Sequence, residues 1–355
     1  MNYLFNICKL KKKIKMYLII IITLVIFLYF LKKYINGGVN KLKEDLSNKI
    51  IIVTGSSSGI GKETALNLIK SNGKVIYGCR NEEKVKKAME EIPINLKKNA
   101  EFIKLDLCSL KSIINFSNII KNKYPKIDIL INNAGAQPRN FIITEDNLES
   151  SIQGNFIGPF LLSLLLLNHF NANGKIINVS SVAHKFYSFD KNILLILDNF
   201  KEIEKKYFDG NYIHSLNLYS LEKLFILYGT FYIKDIIEKK NLNCKICALH
   251  PGVVNSNFMI FLNDYPIFHF FFKLFYYFFV FFTKNSFQGA QTQLYLSYLD
   301  YHKFINGGYY SDCKLSNVGK NAKNEELKKI VINWVIQILK NRLPNHDLIQ
   351  NLSLI

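Results

Sequence analysis

Residues 49–62 constrain the fold more than any other stretch of this chain. Lys49 to Thr54 is short, apolar and β-branched, and Gly55, Gly59 and Gly61 follow at once in Thr-Gly-Ser-Ser-Ser-Gly-Ile-Gly. Lys62 to Lys70 then carries helical periodicity. A glycine-rich turn between a strand and a helix lets backbone N–H groups and the helix N-terminus approach a phosphate. The spacing Gly-x-x-x-Gly-x-Gly differs from the commoner dinucleotide fingerprint, and an ordinary tight βα turn is the alternative reading.

Further strands are expected at Lys74–Cys79, Ala100–Leu105, Ile127–Ile131, Gly174–Val179, Cys244–Leu249 and Gly307–Ser311, with helical segments and short loops between them. That alternation predicts an α/β fold: a doubly wound parallel sheet of Rossmann type in a single domain. With 355 residues, 49% of them hydrophobic, the chain can bury such a core. Several strand ends carry polar residues. The second ends in Cys79-Arg80-Asn81, where an acid would suit a ribose 2′-hydroxyl and Arg80 instead suits a 2′-phosphate; a solvated surface Arg is the alternative. The third runs into Asp106-Leu107, the fourth into Asn132-Asn133-Ala134-Gly135, the fifth into Ser180-Ser181 and the sixth into His250-Pro251-Gly252. Asn155 is a polar residue inside the mostly apolar helix Leu148–His169.

Tyr219 and Lys223 are four residues apart and share one face of a helix. A phenol titrates near ~10, and an ammonium beside it favours the phenolate. A Tyr so tuned can exchange a proton with a carbonyl or alcohol oxygen. In a chain with 20 Tyr and 46 Lys+Arg this spacing is weak evidence alone, because chance matches are expected.

The net charge of +19 is uneven, with nine Lys and no acid in residues 1–43. Met16–Leu31 has no charge and spans roughly 24 Å as a helix, between a basic segment (1–15) and Lys32-Lys33. No small-x-small cleavage site follows, so it reads as an uncleaved single-pass anchor rather than a signal peptide, with a linker at 32–47 and the catalytic domain at 48–320. Ile267–Phe282 holds nine Phe around His269 and Lys273 and reads as an interfacial or lid segment; Val182–Leu218 is an insert near the site mouth. Residues 321–355 form a C-terminal helix and tail around Trp334. No basic stripe with interleaved aromatics suggests a nucleic-acid partner, and no second ligand is spaced with His269 for a metal. The six Cys outline no disulfide framework; Cys244 and Cys247 read as small buried hydrophobes in one strand.

Taken in order, Thr54–Gly61, Asn132–Gly135, Asn155, Ser181, Tyr219-x-x-x-Lys223 and Pro251-Gly252 resemble the short-chain dehydrogenase/reductase superfamily over roughly residues 48–320. Gly61–Ala65, Cys79–Asn81, Asn178–His184, Gly289–Thr292, Gly308–Lys314 and the N-terminal anchor resemble its membrane-anchored retinol dehydrogenase group. The resemblance implies NADP(H) as cofactor and a lipophilic carbonyl or alcohol as substrate, at a membrane expected to be the endoplasmic reticulum. Tyr219 would be the acid/base, Lys223 would lower its pKa and hold the nicotinamide ribose, Ser181 would bond the substrate oxygen, and Asn155 would position the active-site helix and a relay water. Gly55, Gly59 and Gly61 would hold the pyrophosphate, Arg80 the 2′-phosphate, Asp106 the adenine, and Asn133 would sit by the ribose. The resemblance adds Ser57, Ser58 and Ile60 in the glycine turn, Asn81, Leu107, Ala134 and Gly135 at the strand ends, and Pro251, Gly252 and Val254 after the sixth strand. Ser256 stands where the family usually has Thr near the carboxamide. A membrane-tethered nucleotide-binding scaffold without turnover, and a sphingoid-base or fatty-acyl carbonyl reductase, are the competing readings. Oligomeric state is not determined by the sequence.

Overall fold

The computed structural model describes residues 2–137, 140–186, 199–255 and 280–353. Eight strands form one sheet: β1 (Ile50–Thr54), β2 (Lys74–Cys79), β3 (Ala100–Lys104), β4 (Ile127–Asn132), β5 (Phe170–Val179), β6 (Cys244–His250), β7 (Gly308–Ser311) and β8 (Lys314–Leu315). Their order is β3-β2-β1-β4-β5-β6-β7-β8, parallel throughout except for the antiparallel β7–β8 hairpin. The strand order reverses between β1 and β4, and ligands bind such sheets at the carboxyl ends of the strands beside that reversal.

The strands are apolar on both faces because helices cover both. In β1, Ile52 faces one core while Ile51 and Val53 face the other; Leu130 and its neighbours Ile129 and Ile131 repeat this in β4. Cys244 and Cys247 fall on opposite faces of β6, three residues apart in a period of two, and both are buried free thiols. The first core is closed by α4 (Leu110–Lys123), α6 (Gly158–Leu166), α8 (Tyr212–Lys239) and α10 (Glu325–Arg342), numbering helices in chain order. The second is closed by α2 (Gly59–Lys70), α3 (Glu82–Glu90) and α9 (Ser286–Tyr298). The short helices α5 (Ser150–Ile152), α7 (Phe200–Tyr207) and α11 (Asp347–Gln350) complete the set among the described residues. The expected helix Leu148–His169 is divided: α5 passes into a π-helical stretch at Gln153–Ile157 before α6 begins at Gly158-Pro159.

The N-terminal helix α1 runs from Asn2 to Asn36, longer than the uncharged stretch, since the flanking Lys residues are themselves good helix formers. Its segment Lys9–Asn36 is long and apolar enough to cross a membrane, and its residues 9–30 are exposed. Ser150–His169 passes the same test of composition but is mostly buried as a core element. The end of α1 docks on the body. Lys32 Nζ donates to the carbonyls of Val280, Phe281 and Thr283 at 3.1, 2.7 and 2.9 Å. Gly37 and Gly38 lie so close to Asp312 that a Cβ on either would overlap it. Residues 267–279 of the Phe-rich segment and 187–198 of the insert lie outside the described residues.

Candidate active site

The glycine turn is shaped by close backbone approach. Gly55 has φ +65°, and a Cβ there would lie 2.8 Å from Ala134 Cα. A Cβ on Gly61 would fall on Asn133 Nδ2 and 2.5 Å from the Gly55 carbonyl. Thr54 Oγ1 accepts from the backbone N–H groups of Asn133 and Ala134 at 3.0 Å each, and Asn133 Nδ2 donates to the Thr54 carbonyl at 2.9 Å. Gln293 Nε2, from α9, donates to Asn133 Oδ1 at 3.0 Å. The ends of β1 and β4 are thus tied at the switch point. Ser58 precedes α2 without a side-chain cap, which leaves the first-turn amides to an external acceptor. Ser57 and Ile60 are half-buried in the same turn. An uncapped helix start behind a turn that only glycine can occupy fits a diphosphate.

The other residues expected around that turn have differing surroundings. Arg80 is exposed at the carboxyl end of β2. Asn81 caps α3, its side chain accepting from the Lys84 N–H at 2.8 Å, so any cofactor contact would come from its backbone. Asp106 is half-buried after β3 and Oδ1 accepts from the Cys108 N–H at 3.0 Å. Leu107 is buried in the first core, and its carbonyl abuts Gly158. Pro251 and Val254 are buried, and Gly252 has φ +96° with Lys284 packed over it. Lys284 Nζ in turn pairs with Asp312 at 2.6 Å. Ser256 lies outside the described residues.

Lys223, Tyr219, Asn155, Ser180 and Ser181 come together at the ends of β4 and β5. Lys223 is 3% exposed. Its Nζ donates to the Val179 carbonyl at 3.1 Å and sits 5.3 Å from the ring centre of the half-buried Tyr219, one helical turn earlier. Burial draws the Lys223 ammonium down to about 8, with the neighbouring Glu222 opposing the shift. Asn155, in the π-helical stretch, accepts from the Ala136 N–H at 2.9 Å through Oδ1; its Nδ2 donates to the Ala136 carbonyl at 2.7 Å and to Glu222 Oε2 at 2.6 Å. Gly135 leaves room for these groups, since a Cβ there would lie 3.2 Å from Lys223 Nζ and 3.4 Å from Asn155 Oδ1. The two adjacent serines separate by environment. Ser180 is buried and its hydroxyl donates to the Lys223 carbonyl at 2.8 Å, whereas Ser181 is half-buried and caps the turn Val182–Lys185.

Three contributors were missed by sequence reasoning. His250 Nδ1 accepts from the Val182 N–H at 3.1 Å, and burial, with Lys284 nearby, pushes its ring down to about 4, so it stays neutral and acceptor-capable. His184 donates from Nδ1 to the Ser181 carbonyl and accepts the Gly319 N–H at Nε2, 2.9 Å away. Together they set the backbone that carries Ser181. Glu222 holds the Asn155 amide. Each stands beside a residue already singled out, which is the one signal the sequence offered.

The short chain dehydrogenase family model matches residues 49–192. Human retinol dehydrogenase 12 is 30% identical over 322 residues, covering 88% of this chain and 94% of that protein. The chain belongs to the short-chain dehydrogenase/reductase family. Human retinol dehydrogenase 13 is 32% identical over 307 residues, covering 84% of this chain and 87% of that protein, so the likeness to retinol dehydrogenases extends over most of the chain. Among solved structures, one from Mycobacterium Paratuberculosis superposes with TM-score 0.62 at 21% identity, covering 84% of this chain and 96% of that one. Salutaridine reductase from Papaver somniferum superposes with TM-score 0.53 at 19% identity, covering 74% and 100%. These two show the fold. Short-chain dehydrogenases use a nicotinamide dinucleotide, and the shape of the glycine turn described above fits its diphosphate. Gly61→Ala should lower dinucleotide affinity by about 100-fold or more and cost about 1–3 kcal/mol of stability, because the added methyl overlaps backbone that cannot withdraw. Dinucleotide titration and thermal melting read the two effects separately.

Proposed function

We propose that this short-chain dehydrogenase is a membrane-anchored, NADP(H)-dependent oxidoreductase acting on a lipophilic carbonyl or the matching alcohol, with Tyr219 as acid/base. One observation carries the reading: a buried Lys223 ammonium 5.3 Å from the Tyr219 ring, facing the loop that Asn155 clamps. A cation so placed favours the phenolate, so Tyr219 can release its proton to a carbonyl oxygen or take one from an alcohol. Ser181 would hold that same oxygen and fix its distance from the phenol. Lys223 would also hydrogen-bond the ribose, while Asn155, by fixing residues 135–136, would keep the floor of the site in place. The nicotinamide, when bound, supplies or accepts the hydride. A scaffold without turnover would have no use for an ammonium buried at this cost beside a Tyr.

The substrate class is supported by the names of the relatives, retinol dehydrogenases, and by the exposed apolar helix α1. The sixteen uncharged residues suit a thin bilayer, which supports the endoplasmic reticulum. Arg80, exposed at the end of β2 with no acid in its place, supports NADP(H). Arg80→Ala should reduce the preference for NADPH over NADH roughly tenfold, the lower end for a charge-assisted bond because the side chain is solvated. Steady-state kinetics with both cofactors check this, and a wild-type preference for NADH overturns it. The proposal as a whole is tested by offering the full-length protein in liposomes a panel of lipid and small soluble carbonyls with NADPH. Faster turnover of the lipid carbonyls is expected. Equal turnover of both classes contradicts the lipophilic assignment.

A further inference from the structure

Glu222 immediately precedes Lys223 and is fully buried. Its two oxygens face two different groups: Oε2 accepts from Asn155 Nδ2 at 2.6 Å, and Oε1 lies 2.6 Å from Ser151 Oγ. The Asn155 amide is oriented independently, because its Oδ1 meets the Ala136 N–H and its Nδ2 the Ala136 carbonyl. Ser151 Oγ also lies 2.7 Å from Glu149 Oε2. A hydroxyl has a single proton, so it donates to only one of two carboxyl groups. The other contact becomes a hydrogen bond only if that carboxyl itself donates. Two deprotonated acids would leave one oxygen–oxygen contact of 2.6–2.7 Å without a proton, between buried like charges.

The surroundings decide which acid holds it. Glu149 sits at the start of α5 and accepts the backbone N–H groups of Ser151 and Ile152 at 3.0 and 2.9 Å, with the Ser150 hydroxyl at 3.3 Å. Burial raises the Glu149 carboxyl above its ordinary value, and those donors, with the positive end of a helix, oppose that shift and favour its carboxylate. Apart from Ser151, Glu222 has only the Asn155 amide among the described residues. We infer that Glu222 is a positioning residue that carries a proton: its Oε1–H donates to Ser151, Ser151 donates to Glu149, and its Oε2 holds the Asn155 amide. The charged groups facing it are Glu149, from the turn before α5, and Lys223 on its own helix. Burial, reinforced by the Glu149 charge, pushes the Glu222 carboxyl up to about 8, in keeping with this assignment. A neutral Glu222 removes the charge that opposes the burial shift of Lys223, and the ammonium then faces Tyr219 with no carboxylate paired to it among the described residues. The positioning role rests on the function proposed above; the proton does not.

Glutamine reproduces the protonated acid, with its C=O accepting from Asn155 and its NH2 donating to Ser151, whereas leucine does neither. In full-length protein, Glu222→Leu should lower kcat about tenfold or more, and Glu222→Gln should recover most of that loss. Infrared spectra of the wild type at pH 7 should contain a buried protonated carboxyl stretch that is missing from Glu222→Gln. Melting against pH gives a third readout. The folded value lies above the ordinary 4.5, so between 4.5 and about 8 the folded state holds a proton that the unfolded chain has released, and stability falls as pH rises through that window. Glu222→Gln should remove that fall, so its advantage over the wild type grows with pH up to about 8 and is constant above. The infrared and melting readouts need no turnover, so they decide the proton even if the enzyme acts on no carbonyl offered. A Gln variant as impaired as Leu, or a wild type without the protonated-carboxyl band, would show Glu222 to be an ionised partner of Lys223 and overturn the inference.

Discussion

Tyr219→Phe is expected to lower turnover by about 10²–10⁴-fold while dinucleotide affinity changes by less than about threefold. The substitution deletes one oxygen and its proton from a half-buried ring and leaves the helix, the Lys223 contact with the Val179 carbonyl and the glycine turn as they are. On the role proposed for Tyr219, the decisive loss is the proton it would exchange with the substrate oxygen. Single-turnover NADPH oxidation and dinucleotide titration on the same sample check it. Activity within a few-fold of the wild type would remove Tyr219 from the chemistry, and a matching loss of affinity would show that the variant had perturbed the cofactor site.

Lys223→Met should fail in a broader way. It removes the cation beside Tyr219 and a hydrogen bond to the Val179 carbonyl, leaving a buried acceptor unpaired at a cost of about 1–3 kcal/mol. Turnover should fall about 10²–10⁴-fold, as for Tyr219, but dinucleotide affinity should also drop about tenfold if Lys223 holds the ribose as proposed. The pH dependence carries a sign that can be checked. Burial holds the Lys223 value at about 8, below the ordinary 10.5. The ammonium is therefore complete well below pH 8 and disappears as pH rises through it, so kcat/KM should fall on the alkaline side. Stability should move the opposite way: between about 8 and 10.5 the unfolded chain binds a proton that the folded state has lost, so folding gains as pH rises. This window adjoins that of Glu222, which ends where it begins, and the two are separated by comparing Lys223→Met with Glu222→Gln.

What the sequence made legible was the backbone of the site. β-branched runs such as Ile50–Val53 and Ile127–Ile131 announce strands, and Gly55 and Gly61 stand where a Cβ has no room, so turn and sheet could be read together. Less legible were features fixed by partners distant in the chain. Asn155 stood out as polar in an apolar helix, yet the π-helical stretch that aims it depends on the Ala136 loop 19 residues earlier and on Glu222 67 residues later. Ser180 and Ser181 look alike as adjacent residues; the Lys223 carbonyl, 43 residues from Ser180, distinguishes them. Glu222 read as a spacer between Tyr219 and Lys223, since nothing local marks Ser151 and Glu149 as its neighbours. β8 is two exposed residues long and has no periodicity to detect.

The central claim is that Tyr219, Lys223 and Ser181 form a working proton-transfer site for a lipophilic carbonyl. The most direct measurement places the full-length protein in liposomes with a long-chain aldehyde and NADPH, and follows NADPH oxidation and alcohol formation together, wild type beside Tyr219→Phe. The expected result is one alcohol formed per NADPH oxidised in the wild type and a rate lower by about 10²–10⁴-fold in the variant. Equal rates in the two proteins, or tight NADPH binding with no alcohol from any carbonyl in the panel, would contradict the account.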